Sequence, residues 1–350
     1  MTRHIIRRLI QSIPTLLGVT ILSYLLLAAA PGDPVRIMTF GDPNMTPQQR
    51  DALSARYGLD DPWYVQYLVW MTGNDWMWWK YDTGWYDGEF TEAVERQGML
   101  RGDFGNSIPK RRPVYDLIAE RLPATIELGI ATFIVSLVVG IPIGIGAAVW
   151  QGKLFDNFSR VLAVLGQAVP DFWLGLLFVL IFGVSLGIPW ARGDRCDLST
   201  VRRGTCSDIP ITERLEYLLL PTLVLSFGGV AGYSRFMRTS MLDTINSDYI
   251  RTARAKGLKD RDVWVKHGAR NALIPIATFL GPAVVSILGG AVVIEQIFSW
   301  PGLGRLFLEA ISQRDYPIVM ASVVIGAVLT VIAYIISDVL YALFDPRIRF

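Results

Sequence analysis

The chain has 350 residues, of which 52% are hydrophobic and 18% charged, with a formal net charge of +2. Soluble proteins carry about 25% charged residues. The shortfall here, with apolar residues gathered into long runs, argues against a soluble protein, and the near-neutral charge argues against a nucleic-acid partner.

A helix that crosses a bilayer needs roughly 20 mostly apolar residues, because the hydrocarbon core is about 30 Å thick and a helix rises about 1.5 Å per residue. Six runs meet that requirement: Leu9–Ala30, Ala124–Trp150, Val161–Ile188, Tyr217–Met237, Ala277–Phe298 and Val319–Phe344. Backbone groups in lipid must be satisfied internally, so these runs are expected to be helices. The short alternating segments of a membrane β-barrel are not visible. The expected fold is therefore an all-α membrane protein with six transmembrane helices.

Arg3, Arg7 and Arg8 precede the first run and place the N-terminus in the cytoplasm. Six crossings return the C-terminus, with Arg347 and Arg349, to the same side. The first run ends in Ala28-Ala29-Ala30 like a signal peptide, but it exceeds the roughly 7 to 15 apolar residues of a signal core and is expected to be retained.

Residues 31–123 form a long external region, expected to be partly folded, between a first segment, 1–30, and a five-helix part, 124–350. Within it, Thr46 suits an N-cap, Pro47 the first helical position and Gly58 a helix stop. Trp63, Tyr64, Tyr67 and Trp70 mark an aromatic face expected to rest at the membrane surface. The aromatic-rich stretch WMWWKYDTGWYDG, 76–88, reads either as a further interface contact or as a surface for another protein. GDFGNSIP, 102–109, reads as a turn-rich connection.

Pro142, with Gly140, Gly144 and Gly146, is expected to bend the second run. Pro170 interrupts the third, and Asp171 beside it is costly within a membrane. The external loop 189–216 carries five arginines, against the orientation rule, but five acids accompany them. Cys196 and Cys206 lie in that loop, on a side that permits disulfides, so they are either a bonded pair or two free thiols.

Between the fourth and fifth runs, residues 240–276 hold seven Lys/Arg against four Asp/Glu, which places them in the cytoplasm. The core of this segment is DYIRTARAKGL, 248–258. Asp248 suits a helix start and Gly257 a stop. Asp260 to Arg270 then resumes helically, with Val263, Trp264 and Val265 as apolar anchors. Ala253, Ala255 and Gly257 allow another backbone to come close, and the surrounding cations fit an acidic groove rim. An ordinary basic loop that anchors the topology fits the same residues equally well.

Catalytic signatures are missing. His4 and His267 are the two histidines, and neither adjoins a Cys or a paired carboxylate. No GxxxxGK[ST], HExxH or GxSxG motif occurs. Any ATP that drives this chain must bind elsewhere.

RTARAKGL followed by HGARNALIP resembles the cytoplasmic coupling loop of ABC-importer permeases, in the dipeptide, oligopeptide and nickel branch. PGDP (31–34), GLDDPWYVQYL, GDFGNSI, ERLPATIEL, FSWPGLGRL (298–306), RDYPIVMA and DPRIRF extend the resemblance over nearly the whole chain. The chain departs from the wider family where Arg251-Thr252-Ala253 stands in place of Glu-Ala-Ala, and Ala269-Arg270 in place of Leu-Pro. Gly257 holds the glycine place.

The resemblance implies a type I importer fold in which Tyr249, Arg251, Thr252, Ala253, Ala255, Lys256, Gly257 and Leu258 dock on ATPases. A second, homologous permease, two cytoplasmic ATPase subunits and an external substrate-binding protein would complete the complex in a bacterial or archaeal plasma membrane. ATP and magnesium would sit on the partner chains, and this chain would hold no cofactor and no metal. Pro170, Asp171, Glu295 and Asp338 become path candidates, with structural bonding as the competing reading. Trp300, Pro301 and Gly302 form a turn that in this branch resembles an external gate, with Trp300 at the membrane interface. Peptides are the leading substrate, nickel or another small solute the alternative. A stand-alone channel or ion-coupled carrier would leave the basic segment without a task.

Overall fold

The computed structural model describes residues 2–29, 46–49, 51, 54, 58–74, 97–192, 211–273, 276, 283–284, 286–287 and 291–344. Cys196, Cys206, the 76–88 stretch, PGDP, DPRIRF and much of the first half of the expected fifth run lie outside them. Every regular element among the described residues is helical. Four helices are long and apolar enough to cross a membrane, and one bent pair adds a fifth candidate.

In chain order the first helices are α1 (Thr2–Ala28), α2 (Trp63–Thr72), α3 (Val114–Val149), the pair α4 (Leu154–Ala168) and α5 (Asp171–Phe178), and α6 (Ile211–Ile245). They are followed by α7 (Asp248–Ala255), α8 (Val292–Ile297), α9 (Leu303–Ser312) and α10 (Tyr316–Phe344).

The third expected crossing, Val161–Ile188, is not one helix. It starts earlier, at Leu154, and breaks by 98° between Ala168 and Asp171. Proline has no amide hydrogen and disfavours the helical region for the residue before it. Val169 accordingly sits extended at φ −83° and ψ 123°. Beyond α5 the chain continues as a π-helix over Val179–Ser185. The second and fourth crossings outrun their hydropathy limits. At 36 residues, α3 is about 54 Å long, so its ends extend past a hydrocarbon core of about 30 Å.

Two compact units emerge, and neither is a single stretch of chain. One comprises Met1–Leu9, Arg121–Arg305 and Leu329–Phe350, the other Ile10–Glu120 and Leu306–Val328.

In the first unit, small residues let helices approach. A Cβ on Gly144 would lie 2.5 Å from the Ser234 carbonyl oxygen, so α3 lies directly against α6. Pro142 sits inside α3, which runs unbroken through it. Gly140 and Gly144 provide close packing against α6. Gly166 does the same between α4 and α6, where a Cβ would come within 2.7 Å of Ala231 Cβ. An ion pair secures this second contact. Asp156, whose side chain is 1% exposed, accepts two hydrogen bonds from Arg238, at 2.6 and 2.9 Å, and one from the Gly152 amide at 2.9 Å. Arg8 pairs with Asp338 at 2.8 Å, which makes Asp338 a structural residue.

In the second unit, Thr46 and Gln49 exchange side-chain-to-backbone hydrogen bonds, a capping box at the expected helix start. Gly58 has the positive φ, 64°, that a helix stop requires. The aromatic face of α2 divides. Trp63 and Tyr64 are exposed, but Tyr67 is buried, its hydroxyl 2.8 Å from Thr20 Oγ1, and its ring lies edge-on to Tyr24. Half of the face expected at the lipid surface therefore packs on α1, because a buried phenol needs a hydroxyl partner and Thr20 supplies one. GDFGNSIP is held by the buried Asp315, which accepts hydrogen bonds from Ser107 Oγ and the Ile108 amide.

Candidate functional site

Helix α7 opens the basic segment. Ser247 is at the N-cap, but its hydroxyl donates back to the Thr244 carbonyl at 2.6 Å instead of capping α7. Asp248, at the first helical position, complements the positive end of the helix dipole. The helix closes with a Schellman motif. The Gly257 amide donates to Arg254 O at 2.9 Å and the Leu258 amide to Ala253 O at 3.4 Å. Gly257 takes φ 77°, a left-handed conformation that side chains resist, and a Cβ there would meet no other atom within 4 Å.

From Lys259 the chain turns and winds again through Asp260–Asp262, a π-helical Val263–Ala269 and Arg270–Ala272. Ile250, Ala253 and Val263 are buried together, with Trp264 packed on them. The Arg254 guanidinium lies 4.5 Å from the Trp264 ring centre. The two arms therefore form a folded knob with a small core of its own. Its base joins the helices where Ala269, Ala272 and Ile276 pack with Met237 and Met241 of α6 and Ala148 of α3.

Of the eight residues expected to dock, seven are exposed: Tyr249, Arg251, Thr252, Ala255, Lys256, Gly257 and Leu258. Ala253 is not among them. At 6% exposure it lets the second arm approach the first, so its small size serves the knob's own packing. Val265 is exposed as well, and Val263 alone of the two valines anchors, because the π-helical winding turns one inward and the other outward.

The expected path residues separate. Pro170 and Asp171 stand exposed at the 98° break, with Asp171 opening α5. Glu295 is the opposite case. It is fully buried, and its carboxylate accepts hydrogen bonds from Thr125 Oγ1 and from the Arg305 amide, both at 3.0 Å. Thr125 Oγ1 in turn accepts from the Leu303 amide at 2.8 Å. Glu295 and Thr125 together cap the free amides that open α9. This occupies the carboxylate and gives it a structural role, not a place on a path.

The FSWPGLGR turn is likewise part of the core. Trp300 is 1% exposed and donates from Nε1 to the Ala124 carbonyl at 2.8 Å, which corrects its expected place at the membrane interface. An indole that finds a buried carbonyl gains burial without an unsatisfied N–H. Pro301 and Gly302 are buried too, and a Cβ on Gly302 would overlap the Glu295 carboxylate. An exposed tryptophan would have left the sequence looking the same. The one hint was Glu295 standing a few residues before two glycines.

The description "Binding-protein-dependent transport system inner membrane component" fits residues 140–350, and its N-terminal counterpart fits residues 1–129. The chain belongs to this family. Among other members it is similar to the oligopeptide transport system permease protein AppB of Bacillus subtilis, with 43% identity over the full length of both chains. It is 35% identical to the dipeptide transport system permease protein DppB of Escherichia coli, covering 100% of this chain and 99% of that one. It is 36% identical to the glutathione transport system permease protein GsiC of Salmonella typhimurium over the whole of both chains. As an inner membrane component of this family, the chain is a multi-pass membrane protein, and its apolar helices agree with that assignment.

Proposed function

We propose that this chain is one of two permeases in a peptide importer driven by ATP on partner chains. The observation that carries the reading is end-to-end similarity to permeases named for oligopeptide, dipeptide and glutathione transport. These names favour peptides over nickel as the cargo. The knob supplies the physical means. A folded, cation-bearing projection fits a groove on an ATPase, where Arg251 and Lys256 meet acidic groups and Leu258 adds apolar contact. The basic ends favour a cytoplasmic position for the knob and both termini. ATP with magnesium closes the two ATPases, and the knob transmits the closure to the helices as a rigid-body switch. An external binding protein delivers the peptide, and Asp171 at the break beside Pro170 faces its route.

Reconstitution of this chain with a second permease, two ATPases and a binding protein in sealed vesicles should give peptide uptake that needs ATP. Uptake by this chain alone, without ATPases, would sink the reading and favour a stand-alone carrier.

Gly257→Val isolates the knob. Forcing a β-branched residue to positive φ costs about 1–2 kcal/mol, enough to shift the docked population by roughly tenfold. The variant is expected to insert normally and to lose most substrate-stimulated ATP hydrolysis. Gly257→Asn, which tolerates the left-handed region, should retain far more. Equal activity for both variants would count against docking through this turn.

A further inference from the structure

Where α4 passes α6, a cleft of about 260 Å³ opens, lined by Ala147, Ser159, Arg160, Ala163, Val164, Ser234, Arg235 and Arg238. Its wall is largely apolar, and three arginines are among the residues that line it. We infer that an anionic phospholipid sits here, its headgroup against the exposed Arg160 and Arg235 and an acyl chain along the apolar wall and α4.

Charge gives the first argument. Arg238 is engaged by Asp156, and Arg160 stands 3.6 Å from the same carboxylate while bonding Asn157. The Arg235 guanidinium is exposed and makes no hydrogen bond or ion pair among the described residues. Three arginines against one aspartate leave the cleft short of negative charge. A phosphodiester supplies it in the planar, forked geometry that guanidinium matches.

Continuity with an apolar surface gives the second. Phe158, Val161, Val164 and Leu165 stand exposed along α4 from the cleft onward. A free phosphate would use the arginines and leave this apolar strip bare, whereas a phospholipid covers both.

Position gives the third. Arg160 lies in the first half of α4, and Arg235 in the last third of α6, the helix that leads into the basic segment read as cytoplasmic. The cytoplasmic leaflet carries the anionic lipids, and basic pockets between membrane helices are suited to bind them. The inference is independent of the cargo that the importer carries.

The test uses the full chain in its assembled complex, reconstituted in vesicles of phosphatidylcholine with or without phosphatidylglycerol, then examined by mass spectrometry under non-denaturing conditions. The wild-type complex is expected to retain phosphatidylglycerol in preference to phosphatidylcholine. Arg160→Gln with Arg235→Gln should lower that retention about tenfold, the loss of roughly 1.4 kcal/mol. Arg160→Lys with Arg235→Lys should keep most of it, which also controls for folding at two exposed positions. Equal retention in the glutamine variant, or equal retention of both lipids, overturns the inference. Displacement of the lipid by millimolar inorganic phosphate would assign the cleft to a free anion and overturn it as well.

Discussion

Asp156→Ala is expected to deplete folded protein from the membrane and to lower the unfolding temperature of the purified chain sharply. The side chain is 1% exposed, and it neutralises Arg238, itself only 19% exposed, while fixing the Gly152 amide. Removing one partner of a buried pair costs about 3–5 kcal/mol, because the other charge is left in a poor solvent. Against a total stability of about 5–15 kcal/mol, that is a large fraction. The pair ties α4 to α6, so the loss should loosen their shared face first. Asp156→Ala combined with Arg238→Met should recover part of the loss, since no lone charge then remains. A single variant that unfolds within a few degrees of wild type would show that the pair is not holding these helices.

The second large effect is expected at the cap of α9. Glu295→Ala strips acceptors from the Arg305 amide and the Thr125 hydroxyl, at about 1–3 kcal/mol for each buried group left unsatisfied. Gly302→Ala attacks the same site from the other side, since its Cβ must enter space that the carboxylate fills. Each single substitution should destabilise strongly. Together they should cost less than their sum, because the first vacates the room that the second needs, with a coupling of about 0.5–3 kcal/mol. Additive losses, measured by thermal unfolding in detergent, would show that the two groups do not share one site.

The helical class, the crossing at the N-terminus and the Thr46 helix start were legible from hydropathy, spacing and capping chemistry. So was the two-armed knob around Gly257, since a glycine stop between two helical patterns leaves few alternatives. Residues whose role depends on a distant partner were less legible. Asp156 and Arg238 are 82 positions apart, and Thr125 and Glu295 are 170 apart. Periodicity cannot place such residues together. For the same reason Glu295 resembled a path residue and Trp300 an interface anchor: in a membrane chain, a buried acid and a tryptophan have familiar roles that their neighbours alone can revise.

The sequence by itself determined that this chain is helical, lies in a membrane, bears a basic knob and belongs to a family of transport permeases. Each of those properties resides in local composition or in motifs a few residues long. Only the tertiary structure decided which way each polar group faces. It turned Ala253 inward and left Arg251 outside, it closed Glu295 beneath Gly302, and it left Arg235 without a counter-ion among the described residues, beside an apolar cleft. Burial and pairing depend on which helix faces come together, and short-range pattern carries little of that information.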